Sequence, residues 1–99
     1  MKICLTIEHF DSSRGGAEQW TADFAASLLA RGHEVHVAAK SFSAEDCRRL
    51  AIIPHPSDAH SSRVALGHNI AQIVDEIQAD IIHDMGLAGI AISSTHIMA

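Results

Sequence analysis

The run Gly15-Gly16-Ala17-Glu18 lies between the end of one apolar stretch and the start of a helical one. Adjacent glycines let the backbone approach a ligand closely and reach positive φ. The free N–H groups and positive dipole end of the following helix then face any bound anion. That is the chemistry of a phosphate or diphosphate cradle, although a tight turn ahead of a helix explains the same residues equally well. The run is not Gly-x-Gly-x-x-Gly, and Lys40 stands where a dinucleotide site carries an acid. A Walker loop is excluded because no Gly-Lys-Ser/Thr occurs. The second candidate is His83-Asp84, at the end of Asp80-Ile81-Ile82-His83. A histidine at a strand end acts as a base or a polar contact; one bonded to nearby backbone is the plainer alternative. Glu8-His9 leaves the first strand at the same edge.

Eight histidines raise the question of a metal. His33 and His36 are three apart, and His55 and His60 sit in a proline-bearing loop. None shows the i, i+4 pairing around a glutamate of a zinc protease, and no cysteine neighbours a histidine at finger spacing. Exposed or capping histidines are expected, with no metal and no cofactor. A Ser-His-Asp arrangement is unsupported, since no Gly-x-Ser-x-Gly elbow exists.

These residues depend on the elements around them. Met1 to Ile7, apolar on both faces, reads as a buried parallel strand. Glu8 to Gly16 is a polar loop. From Ala17 a helix follows, with Ala17, Trp20, Phe24 and Leu28 on its inner face and Gly32 as C-terminal cap. Trp20 and Phe24 are expected in the core. Glu34 to Ala39 is a second strand, completing a βαβ crossover. Ser41 to Leu50 suggests a short helical turn capped by Ser41 or Ser43, and Ala51-Ile52-Ile53 a brief strand closed by Pro54. After a loop over His55 to Ser62, a helix is expected over roughly Val64 to Gln78, then the strand Asp80 to His83. Alternating β and α elements specify an α/β fold: a partial Rossmann-like open parallel sheet with flanking helices.

Ninety-nine residues make at most one domain. The composition, 47% hydrophobic and 19% charged, is that of a globular chain and excludes a disordered tail. A net charge of -5 with scattered lysines and arginines argues against nucleic acid as partner. Cys4 and Cys47 are too few for a disulfide framework and suit a reducing, cytoplasmic compartment. No signal sequence or membrane-length apolar run is present.

Taken together, Met1-Lys2-Ile3, Gly15-Gly16-Ala17-Glu18, Leu29-Ala30-Arg31-Gly32-His33-Glu34-Val35 and Asp80-Ile81-Ile82-His83 resemble the retaining glycosyltransferases of family 4. The resemblance covers about residues 1–87 and is to their N-terminal, acceptor-side Rossmann-like half, part of a GT-B fold. It implies metal-independent transfer of a sugar from a nucleotide-sugar donor to a glycan or lipopolysaccharide-type acceptor, with peripheral membrane association of the full-length enzyme. It also implies that Gly15 and Gly16 lie near the donor diphosphate and that His83 and Asp84 border the cleft. Family members are several times longer, and their second half holds most donor contacts. A fragment inactive alone is therefore expected. The alternatives are a non-catalytic α/β module binding a phosphorylated ligand at the Gly15-Gly16 loop, and a flavodoxin-like domain acting through protein contacts. An uncovered sheet edge predicts marginal stability or an edge-strand dimer.

After Leu87 this branch of the family continues Gly-Trp-(His or Tyr)-Cys-Asp, whereas here residues 88–94 read Ala-Gly-Ile-Ala-Ile-Ser-Ser. Shifting the degenerate codons one base upstream permits Gly-Trp-His-Cys-Asp-Ile-Phe. Residues 88–99 are thus expected to be a divergent, out-of-frame tail, which sequencing of the locus tests.

Overall fold

The computed structural model describes residues 1–56, 72–84 and 97–98. Strand β1 (Lys2–Thr6) is followed by the two-residue β2 (His9–Phe10), helix α1 (Gly16–Ala30), β3 (Glu34–Ala39), β4 (Ser41–Phe42), α2 (Ala44–Arg49) and β5 (Ile53–Pro56). A helical stretch over residues 72–77 leads to β6 (Ile81–Asp84), and β7 (Ile97–Met98) comes last. The main sheet runs β5-β3-β1-β6-β7 with every pairing parallel. It is an α/β fold built on an open, Rossmann-like parallel sheet with flanking helices. The expected helix start near residue 64 and the loop over 57–62 lie outside the described residues, as does most of the tail from 88.

β1 is central because both of its faces are apolar: Ile3, Cys4 and Leu5 are all buried. On one face Ile3, Leu5, Val35 and Val37 pack under Ala22 and Ala25 of α1. On the other, Cys4, Ala38 and Ile82 pack with Val74 and Ala79, and Ile73 and Ile77 close in from the side. α1 ends as expected at Gly32, whose φ of +87° is the left-handed conformation that favours glycine after a helix.

Three features depart from the sequence reading. The fully buried positions of α1 are Thr21, Ala22 and Ala25, about one residue position (~100°) around the helix from the stripe expected, of which Phe24 and Leu28 still pack half-buried against the core. Small alanines let the helix lie close on the sheet. Thr21 satisfies its buried hydroxyl by donating to the Ala17 carbonyl at 2.7 Å. Trp20, expected in the core, is 51% exposed on the flank. The brief strand after α2 spans Ile53–Pro56 and takes in both prolines; an edge strand tolerates them because it needs donors on one side only. Finally, the polar loop after β1 hides β2, whose Phe10 is fully buried and packs at 6.1 Å against Phe42 of β4.

Candidate functional site

Parallel strands deliver their carboxyl ends to one edge of the sheet, where an open α/β fold binds ligands. Gly15 and Gly16 lie at this edge, as the N-cap and first residue of α1. Gly15 is extended, with φ 171° and ψ −170°, and Gly16 is already helical, so neither uses positive φ. What the pair provides is clearance: a Cβ on Gly16 would meet nothing within 4 Å. A Cβ on Gly15 would lie 3.1 Å from Glu18 Oε1, so this carboxylate curls back over the helix start. Glu18 thus occupies the favourable end of the helix dipole, and a phosphate arriving there has to displace it. Arg14, exposed and next to Gly15, is the nearest cation in the chain sequence.

The loop leading to the glycines is held in place. β2 pairs in parallel with β4, His9 opposite Ser41 and Phe10 opposite Phe42, which ties it to the segment leaving β3. His9 Nδ1 and Ser41 Oγ are 2.6 Å apart. Farther along, Asp46 of α2 is 3% exposed and accepts from Ser12 twice, from its N–H at 2.7 Å and its hydroxyl at 2.9 Å. The Arg49 guanidinium adds a third bond at 3.0 Å. Burial pushes Asp46 upward, but the Ser12 N–H, Arg49 and the Ser12 hydroxyl together hold it below the ordinary carboxylate value. α2 itself is capped by Ser43, whose hydroxyl accepts from the Asp46 N–H at 3.2 Å. Asp46 escaped the sequence reading. Its position at the third residue after the Ser43 cap marked the helix start, and nothing local pointed to Ser12.

His83 and Asp84 stand at the end of β6, paired with Leu5 and Thr6 of β1. Strand alternation sends them to opposite faces. His83 turns toward α1, its ring 5.2 Å from Phe24 and 6.2 Å from Trp20, while Trp20 and Phe24 stack at 5.0 Å. Asp84 turns the other way and accepts from the Thr6 hydroxyl at 3.2 Å. The two residues therefore lie on opposite faces of the sheet rather than forming a His–Asp pair. Glu8 and Lys40, just past the ends of β1 and β3, form an ion pair at 3.5 Å. Among the described residues, no three His, Cys, Asp or Glu side chains converge as metal ligands.

The edge thus combines a helix start covered by the Glu18 carboxylate, an exposed indole beside an imidazole, and hydroxyl and carboxylate groups, a mixture suited to a polar ligand. No curated protein matches the chain. Residues 14–97 match the sequence model of Glycosyltransferase Family 4, beginning one residue before the glycine pair and running through β6 to β7. By a match covering most of its length, the chain belongs to Glycosyltransferase Family 4.

Proposed function

We propose that the chain contributes the acceptor-side half of a nucleotide-sugar-dependent glycosyltransferase. The enzyme would transfer a sugar to a glycan or lipopolysaccharide-type acceptor. The observation that carries this reading is the family match over residues 14–97, with the glycine pair opening α1 at the carboxyl edge of the sheet. Gly15 and Gly16 admit the donor diphosphate, and His83 and Asp84 border the cleft from opposite faces of β6. In a two-domain transferase, the groups that orient donor and transition state come from both halves. The chain acting alone therefore transfers nothing. Free Cys4 and Cys47 suit a cytoplasmic setting, and no described helix is long and apolar enough to cross a membrane.

Calorimetric titration with UDP and UDP-sugars, followed by transfer assays with a donor-binding half added in trans, tests the proposal. Weak or absent binding by the chain alone, with transfer on addition of the second half, is the expected result. Micromolar binding of a phosphorylated ligand by the chain alone, without transfer, overturns it in favour of a binding module at Gly15-Gly16.

A further inference from the structure

On the sheet face turned away from α1, three ionisable side chains stand in line. His36 of β3, expected to be exposed or capping, is instead 6% exposed and bonded at both ring nitrogens. Its Nε2 lies 2.7 Å from Glu34 Oε2, and its Nδ1 lies 2.8 Å from His55 Nε2 on β5. The ring centroids are 5.0 Å apart, the length of that contact plus the two ring radii, so the bond runs in the ring planes. β5 is an edge strand, paired on one side only with β3. It reads Ile53-Pro54-His55-Pro56, so Ile53 and His55 carry the only N–H groups it has, and a side-chain tie to β3 adds to a short ladder.

Counting protons shows how the contact responds to acid. The Glu34 carboxylate only accepts, so His36 keeps its proton on Nε2. With both rings neutral, His36 Nδ1 is a bare lone pair and His55 donates to it through Nε2–H. One added proton, on either ring, still leaves a single hydrogen between the facing nitrogens, and the bond becomes charge-assisted. A second added proton puts hydrogens on both facing nitrogens, and the bond cannot exist. We propose that Glu34, His36 and His55 form a proton-counting latch that fastens edge strand β5 to β3 with zero or one added proton and releases it with two.

The charged groups acting on the line, among the described residues, are few. Lys2 and the N-terminal ammonium act on Glu34, and Glu76 of the helical stretch acts on His55. The His36 bond, against some burial, holds Glu34 below its ordinary value. Burial and then the His36 charge push His55 downward, with Glu76 opposing. A lowered histidine contributes its stability in full above its ordinary 6.5, and that contribution is lost as the pH falls from there through the lowered value. Release therefore belongs to the acid side of 6.5.

The test is NMR on the full chain with 15N-labelled histidine between pH 7.5 and 4.5, with amide exchange followed in parallel. The expected result is a single Nε2–H tautomer for each ring at neutral pH. The Ile53 and His55 amides stay protected through the first protonation, then exchange roughly tenfold faster or more at the second, while the Leu5 amide is unchanged. Exchange at β5 that is indifferent to both protonations, or that rises together with Leu5, overturns the latch. His55→Phe should abolish the pH response of the Ile53 amide. If that variant does not fold, Glu34→Gln gives the second reading: removing the counter-charge should shift release to lower pH, and an unmoved release overturns the proposal.

Discussion

Asp46→Ala separates a loop held by one buried carboxylate from a loop that holds itself. Asp46 is 3% exposed and takes two bonds from Ser12 and one from Arg49. Bonds to a charged group contribute about 1.5–3 kcal/mol each. The Arg49 side chain is 53% exposed, so its pair contributes at most about 1 kcal/mol. Relief of the buried charge returns part of the loss, leaving a net cost of about 2 kcal/mol. For a domain of this size, that lowers the melting temperature by about 8–16 °C. Asp46 titrates below its ordinary 3.8 in the folded chain, so its contribution is full above that value and lost as the pH falls through the folded one. Thermal unfolding followed by circular dichroism should show the gap between wild type and variant at pH 7 and its narrowing near pH 3. A variant melting within about 2 °C of wild type at pH 7, or a gap undiminished by acid, refutes the clamp.

Leu5 is fully buried at the centre of the sheet, so Leu5→Ala should cost about 3 kcal/mol or more in denaturant unfolding. Gly16→Ala should leave stability nearly unchanged, because the new methyl meets nothing. Gly32→Ala should cost at least about 1 kcal/mol at its φ of +87°; equal effects at the two glycines would contradict both arguments. Burial pushes the Cys4 thiol up to about 12, and burial and then Asp46 raise Cys47 less far. A thiol reagent at pH 8 should therefore label Cys47 slowly and Cys4 only on unfolding.

The order of elements was readable because each rests on a local pattern. Apolar residues on both faces of Met1–Ile7 announced a central parallel strand, and Arg31-Gly32 announced the end of α1. What stayed hidden depends on distant partners. Of the stripe expected for α1, Phe24 and Leu28 pack half-buried against the core while Trp20 is exposed, and close approach to the sheet gives the fully buried centre to the smaller Ala22 and Ala25. Phe10 and Phe42 are single apolar residues in polar surroundings, and only their mutual packing makes strands of them. The candidate residues Gly15, Gly16, His83 and Asp84 stand in the sequence as chain positions without faces. Which face each residue of β6 takes is set by its register with β1, and the Ser12–Asp46 link spans thirty-four residues.

The parallel pairing of β2 with β4 has a consequence for affinity. It couples the chain leaving β1 to the chain leaving β3, so the start of the loop before α1 is anchored to the segment that follows β3. A ligand bound at Gly15-Gly16, as proposed above, would find the entry to α1 already ordered and would not have to spend its own binding energy on fixing that segment. Loosening the pair, for instance at Phe42, should therefore weaken binding at the far end of the loop without removing any group that touches the ligand.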